Sequence, residues 1–299
     1  MTAAGSAAGG ARRPRVGVVI GSGGVKCAAG LGMWKVLARE RVPVDVLVGC
    51  SGGSIYAAGM ALGLDVREAE ARTLVMWRDV FGRFHKRSML RAVFPGLLGF
   101  SERVGLLNDR RVGEVLAAIY GDATFADCGT PLYLAATDYT TGEKVTLGGP
   151  GAAGTLREAV RASVSLPLLL RPVTLGGRVL VDGGMSNPLP IDVALREGCD
   201  VILAMGFEQT PPPVTSLGSA VGRVSAIVTN HLLRATYAFY SNAHHAEVIP
   251  LMPQLDRRIG LRDADAVPAL VAAGERAAEA ELDYLRRLLD APLPAPTLR

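Results

Sequence analysis

The ten residues Val44-Asp45-Val46-Leu47-Val48-Gly49-Cys50-Ser51-Gly52-Gly53 decide how this chain folds. Val44 to Val48 is an apolar run interrupted only by Asp45, short enough for a buried strand, and Ser54 to Leu62 has the composition of a helix. Between them lies Gly49-Cys50-Ser51-Gly52-Gly53, a G-x-S-x-G pentapeptide at a strand-to-helix turn. That context matches the nucleophile elbow, where a sharp turn lifts a serine hydroxyl clear of the sheet and glycines relieve the crowding around it. Ser51 is therefore the candidate nucleophile, with Gly49 and Gly53 as the flanking glycines of the elbow. The competing reading is an ordinary tight turn. With 36 glycines in the chain the pattern can arise by chance, so its surroundings have to decide.

A serine hydroxyl is a weak nucleophile near neutral pH and needs a base, together with donors aimed at the oxygen that becomes negative. Val16-Gly17-Val18-Val19-Ile20 reads as a buried strand, and Gly21-Ser22-Gly23-Gly24-Val25-Lys26 after it opens a helix from about Cys27 to Arg39. Amides at a helix start lack intrahelical partners and suit an anion. Gly23 and Gly24, with Ser22 beside them, are the candidate oxyanion hole. The same loop loosely echoes the dinucleotide fingerprint G-x-G-x-x-G, and Asp45 lies near the spacing of a ribose-binding acid, though at a strand start rather than a strand end. The G-K-[ST] ending of a P-loop is missing.

For the base, Asp182 follows the apolar run Arg178-Val179-Leu180-Val181 and precedes Gly183 and Gly184, which places it at a strand end before a sharp turn. A plain Asp-Gly turn with a solvated carboxylate is the alternative. Gly176-Gly177 already supplies a hairpin between Pro172-Leu175 and Arg178-Val181, leaving the turn at Asp182 for another purpose. A histidine base is the other option, because Ser51, Asp182 and one of His85, His231, His244 or His245 would follow the Ser-Asp-His order of α/β-hydrolases. Such enzymes normally build more strands before the nucleophile than the two available here, and none of the four histidines sits at a glycine-rich strand end.

Taken together, these segments resemble the patatin-like phospholipase family, bacterial branch. The resemblance runs from Val16 to about Ile249 and includes the glycine-rich loop and the elbow. It also includes Ala135-Ala136-Thr137-Asp138 with Thr141-Gly142, Arg161-Ala162-Ser163-Val164-Ser165-Leu166-Pro167, and Val181-Asp182-Gly183-Gly184-Met185-Ser186-Asn187-Pro188. It implies a three-layer α/β/α sandwich with a central, mostly parallel sheet, and a Ser-Asp dyad with Ser51 as nucleophile and Asp182 as base. Lys26 stands at the family's usual basic position, whereas Ser22 and Cys27 replace residues that are commonly glycine. Asp138 and Ser163 fall in matching segments and are assigned no chemistry.

The implied activity is hydrolysis of lipid carboxylic esters, of phospholipid or lysophospholipid type, through an acyl-Ser51 intermediate. An acyltransferase or thioesterase using the same acyl-serine is an alternative, and a catalytically weak lipid-binding or regulatory module is another. Neither a cofactor nor a metal is expected. Cys27, Cys50, Cys128 and Cys199 are scattered without a C-x-x-C pair or a histidine at metal-ligand spacing, as in a reduced cytosolic protein. Cys50, next to Ser51, is a candidate site for thiol reagents.

Composition supports one large core, since 49% of the 299 residues are hydrophobic against 20% charged. Strand and helix patterns alternate from Val16 to Pro250, which favours a largely parallel sheet covered by helices, and no internal repeat is visible. The expected organisation is an Ala/Gly-rich disordered tail over 1–14, a single hydrolase domain over 15–290 and a C-terminal tail over 291–299. Two amphipathic helices, about Val214 to Ser241 and Pro268 to Leu289, are expected to contribute core or dimer contacts. Arg12-Arg13 before an apolar run suggests an export signal, but the run is short, contains glycines and meets Lys26. No stretch approaches the roughly 20 apolar residues of a membrane span, so a soluble cytoplasmic protein is expected, peripheral at the membrane at most.

A net charge of +4 and 5% aromatic residues give no argument for nucleic acid as a partner. The expected partner is a lipid or acyl-ester substrate; the oligomeric state is not legible. One local feature, Arg83-Phe84-His85-Lys86-Arg87-Ser88-Met89-Leu90-Arg91 leading into the apolar stretch Ala92 to Phe100, would suit transient contact with an anionic membrane. A solvated basic turn followed by core residues is the other reading.

Overall fold

A computed structural model of the chain describes residues 12–81, 107–255, 259–260 and 263–291. One sheet contains β1 (Val16–Ile20), β2 (Val46–Cys50), β3 (Leu132–Asp138), β4 (Lys144–Gly148), β5 (Val173–Leu175), β6 (Arg178–Asp182), β7 (Val201–Met205) and β8 (Glu247–Leu251). The helices between them are α1 (Ala29–Arg39), α2 (Gly52–Ala61), α3 (Val66–Phe81), α4 (Asp109–Tyr120), α5 (Leu156–Ser163), α6 (Ile191–Arg196), α7 (Leu217–Ala243) and α8 (Val267–Asp290).

Strands β3, β2, β1, β7 and β8 lie side by side and parallel. β4 and β6 run antiparallel to β3, and β5 closes a hairpin with β6. The turn of that hairpin is Gly176-Gly177 with φ of 57° and 77°, left-handed values that favour glycine. The sheet is therefore mostly parallel, as the alternating sequence pattern requires. β1, β2 and β7 are buried at every position, because helices cover both faces, and this is why they read as continuous apolar runs.

Alternation along β1 separates two cores. Val18 and Ile20 pack with α1, α2 and α8, while Val19 packs with Ile191, Val193 and Ala194 of α6 and Leu233 of α7. Helices thus lie on both sides of the sheet, giving the three-layer sandwich. On the first side α1 and α8 cross almost backbone to backbone. A Cβ on Gly274 would lie 1.8 Å from the Ala29 carbonyl oxygen, and one on Gly32 2.0 Å from that of Val271. The apolar stripe of α8 is core here, with Val267, Leu270, Val271 and Leu285 buried.

The folded part begins earlier than the sequence reading has it. Arg12 donates to both carboxylate oxygens of Asp200 at 2.6 and 2.8 Å, and Arg13 does the same to Asp45 at 2.6 and 2.7 Å. Residues 12–14, expected in the tail, are thereby tied to the N-terminal edge of the sheet. Residues 1–11 and 292–299 lie outside the described residues, as does the basic stretch Arg83 to Arg91.

The registers on β3 explain the geometry that matters most. β4 occupies one edge of β3, and the other edge is shared: β2 pairs with its first half, up to Cys50 against Ala135, and β6 with its second half, from Asp182 against Ala136. Since β2 and β6 run in opposite directions, their C-terminal ends meet head to head beside Ala135 and Ala136. Ser51 follows the end of one, and Asp182 is the end of the other.

Candidate active site

Ser51 has φ 54° and ψ −130°, a left-handed conformation rare outside glycine, and it caps the start of α2. Such a residue stores on the order of 1–3 kcal/mol of strain, so the surroundings must hold it. They do so through its own peptide groups. Its N–H donates to Ser163 Oγ at 3.0 Å, and its carbonyl accepts from Ser54 Oγ at 2.6 Å and Ser54 N at 2.9 Å. The flanking glycines serve close approach rather than left-handed φ. A Cβ on Gly49 would lie 2.5 Å from Ser54 Cα, and one on Gly53 2.2 Å from the Ile20 carbonyl oxygen.

With its backbone fixed, Ser51 directs its Oγ to Asp182 Oδ2, donating at 2.6 Å across 131 positions of chain. The other carboxylate oxygen, Oδ1, accepts from Gly184 N at 2.7 Å. Gly184 is needed there, since a Cβ would fall 2.6 Å from Ser22 Oγ and 3.0 Å from Asp182 Oδ1. Gly183 likewise leaves no room for a side chain, its Cβ position lying 2.4 Å from the Ala135 carbonyl oxygen. Asp182 is buried, and loss of water is the largest influence on its carboxyl. Desolvation pushes its pKa up to about 6, against the opposing hydrogen bonds from Ser51 and Gly184.

Sequence reasoning quoted the segment Arg161 to Pro167 but gave it no role, and the structure supplies one. Ser163, fully buried at the end of α5, accepts from Ser51 N and donates to the Ala135 carbonyl oxygen at 2.7 Å. Two residues on, the Ser165 carbonyl oxygen accepts from Asp182 N at 3.0 Å. One short segment thus holds both strand ends. Thr137 adds to this by donating to the Asp182 carbonyl oxygen at 2.9 Å. The hint in the sequence was two small hydroxyl residues, spaced by two, at a helix end before proline.

The glycine-rich loop arrives beside them. Ser22, Gly23, Gly24 and Lys26 line the same cavity as Ser51 and Asp182. Ser22 requires a correction as an oxyanion donor, because its N–H donates to the Pro188 carbonyl oxygen at 2.7 Å and is committed to holding the loop. The N–H groups of Gly23 and Gly24 have no acceptor among the described residues. Lys26 is buried, with Nζ donating to the Glu208 carbonyl oxygen at 2.7 Å, and burial lowers its pKa.

The cavity above Ser51 holds about 280 Å³, with walls mainly of apolar side chains such as Met76, Trp77, Leu116, Leu169 and Ile259. A family model described as patatin-like phospholipase matches residues 18–195, spanning the glycine-rich loop, the elbow and Asp182. The chain belongs to that family. This patatin-like chain is 27% identical over 288 residues to an uncharacterized NTE family protein of Mycobacterium tuberculosis, over 89% of its own length and 46% of the relative's. Patatin-like phospholipase domain-containing protein 7 of Mus musculus is 28% identical over 209 residues, 69% of this chain and 14% of that protein. Among solved structures, VipD from Legionella pneumophila gives a TM-score of 0.48 at 12% identity, covering 91% of this chain and 67% of that one. The chain spans about half the length of the curated relatives it matches first.

The competing sequence readings find no support in the patatin-like frame. His231, His244 and His245 are exposed and none lines the cavity with Asp182; His85 lies outside the described residues. Asp45, the candidate ribose ligand, is at the opposite, N-terminal end of the strands, accepting from Arg13 and from Val16 N at 2.8 Å. Cys50 is fully buried, and desolvation raises its thiol pKa well above the usual range with Asp182 and Cys27 adding to the effect, so it is a poor target for thiol reagents. Among the described residues no helix is long and apolar enough to cross a membrane.

Proposed function

We propose that this chain is a serine acyl hydrolase acting on carboxylic esters of lipids, with Ser51 as nucleophile and Asp182 as its base. The observation that carries the reading is the 2.6 Å hydrogen bond from a strained serine to a buried, desolvated carboxylate at the floor of an apolar cavity. Membership of a phospholipase family supports the lipid class of substrate.

In this reading the ionised Asp182 takes the Ser51 proton as Oγ bonds to the acyl carbon. The carbonyl oxygen turns anionic and receives the free N–H groups of Gly23 and Gly24. As the tetrahedral species collapses, the bond to the leaving oxygen breaks and protonated Asp182 returns its proton to the departing alcohol. Water then attacks the acyl-serine, Asp182 accepting one of its protons and restoring it to Ser51 Oγ. A carboxyl pKa of about 6 serves both halves: the group is mostly ionised at neutral pH yet a stronger base than an ordinary aspartate. The apolar walls would hold the acyl chain.

A fluorophosphonate probe and a p-nitrophenyl ester series test this. The wild type is expected to be labelled and to hydrolyse esters with a preference for longer acyl chains, and Ser51→Ala to do neither. Labelling that persists in Ser51→Ala, or an Asp182→Asn variant with undiminished turnover, would remove the assignment. Product analysis with a competing alcohol acceptor separates hydrolysis from acyl transfer.

A further inference from the structure

The outward face of α7 is the feature that the lipid-ester reading does not use. This helix has 27 residues, and its inner side packs on the sheet through Leu233 and Tyr237. Its outer side carries Val221, Val224 and Val228, each more than half exposed, with Leu232 and Phe239 continuing the row. At about 100° per residue these five lie on one stripe, roughly opposite the buried face. A helix apolar on both sides implies a second apolar environment.

Two observations say what that environment is. The stripe adjoins the cavity: Gly222, Ser225, Ala226 and Thr229, about a quarter turn round the same helix, line the cavity above Ser51. Met185 is also a cavity residue with its side chain exposed, and Leu168, between lining residues Leu166 and Leu169, is exposed as well. Leu168 adopts φ 71°, a left-handed value that leucine disfavours. Exposed apolar side chains therefore stand beside residues that line the cavity on three separate segments, α7, 166–169 and Met185. The second observation is charge. α7 contains no aspartate or glutamate, while His231, Arg234 and Arg223 all lie on the side of the stripe away from the cavity-lining residues. Arg234 is paired with Glu208, whereas Arg223 meets the Pro212 carbonyl oxygen and, among the described residues, no carboxylate. An apolar ridge bordered on one side by basic residues, on a helix with no acid of its own, matches an anionic lipid surface.

We propose that the outer face of α7, with Leu168 and Met185, docks the protein on an anionic lipid surface so that an acyl chain passes from the surface into the cavity. The inference rests on the lipid-ester reading above for its purpose, and on the α7 surface for its evidence. Docking buries valine side chains otherwise left in water, and it sets the cavity mouth at the depth of the acyl chains.

The test is co-sedimentation with vesicles of phosphatidylcholine alone and of phosphatidylcholine mixed equally with phosphatidylglycerol. The wild type is expected to pellet with the anionic vesicles and less with the neutral ones. A variant combining Val221→Gln, Val224→Gln and Val228→Gln, which keeps good helix formers at exposed positions, is expected to partition about tenfold or more weakly. Circular dichroism and the unfolding midpoint check that the variant is folded, and hydrolysis of a dissolved short-chain ester checks that the site is intact. Equal pelleting of variant and wild type overturns the proposal, as does a wild type that stays in the supernatant with both vesicles. A wild-type dimer that the variant dissociates, with no vesicle binding, makes the face a self-interface and also overturns it. The two readings fail separately. Vesicle binding that behaves as expected, beside a Ser51→Ala protein that hydrolyses esters normally, would sink the hydrolase assignment and leave the docking face standing.

Discussion

Replacing Asp182 by asparagine is expected to stabilise the fold while stopping its chemistry. The side-chain nitrogen of an asparagine can donate to Ser51 Oγ and its oxygen can still accept from Gly184 N, so neither hydrogen bond of the carboxylate is lost. What disappears is a buried charge. The Asp182 carboxyl is pushed from an ordinary 3.8 to about 6 by desolvation, and at about 1.4 kcal/mol per decade the ionised form costs about 3 kcal/mol of stability at neutral pH. The sign follows from the direction: a carboxyl with a raised folded-state pKa contributes its full stability below the unfolded value and loses it as pH rises through about 6. The variant, which has no charge to bury, should gain over the wild type across that window. With an unfolding entropy of about 2 cal/mol/K per residue, 3 kcal/mol corresponds to roughly 5 °C in a domain of this size. Thermal unfolding followed by circular dichroism at about pH 8 should show this gap, and the gap should close as pH falls below the ordinary carboxylate value. Titration of the other carboxylates is common to both proteins and cancels in the difference. A variant equal to or less stable than the wild type at about pH 8 would refute the account of Asp182 as a desolvated base.

The same carboxyl sets the rate profile: kcat/KM for a soluble ester should rise through an acidic limb near pH 6, as Asp182 ionises, and a limb at the ordinary aspartate value would contradict it. Ser163→Ala leaves the Ser51 N–H without its acceptor in a buried setting and should cost about 1–3 kcal/mol in urea unfolding. Because that bond positions the proposed nucleophile, kcat should fall with KM little changed, whereas an unchanged kcat in a destabilised protein would make Ser163 a packing residue only. Gly274→Ala forces a Cβ to within 1.8 Å of the Ala29 carbonyl oxygen and is expected to destabilise by about 3 kcal/mol or more. Gly113→Ala in α4, where nothing lies within 4 Å of the added carbon, should instead be neutral or stabilising by roughly 0.5–1 kcal/mol. Similar effects at the two glycines would show that the α1–α8 crossing is not set by close backbone approach.

Much of the frame is legible in the sequence because its causes are local. The apolar runs at β1, β2 and β7 and the Gly176-Gly177 hairpin show in stretches a few residues long, through burial on both faces and the freedom of glycine at positive φ. Errors arise where a local pattern has a distant partner. The Ser22 amide looks free in a glycine loop until Pro188 comes to meet it, and residues 12–14 look like tail until Asp200 and Asp45 hold Arg12 and Arg13. Ser163 and Ser165 could be quoted but not interpreted, because the groups they hold belong to strands far away in the chain.

By itself, then, the chain determined which residue sits in the strained turn, which carboxylate ends a strand, and that helices would cover a parallel sheet. Only the tertiary structure decided that β2 and β6 share one edge of β3 and end face to face, so that Ser51 and Asp182 come within 2.6 Å. It also decided that their carboxylate would be dry and that α7 would turn an apolar row outward beside the cavity. The reason is physical. Side-chain periodicity specifies which face of an element is buried, whereas the identity of the neighbour, and hence the loss of water at a charge, is fixed only when separate elements pack.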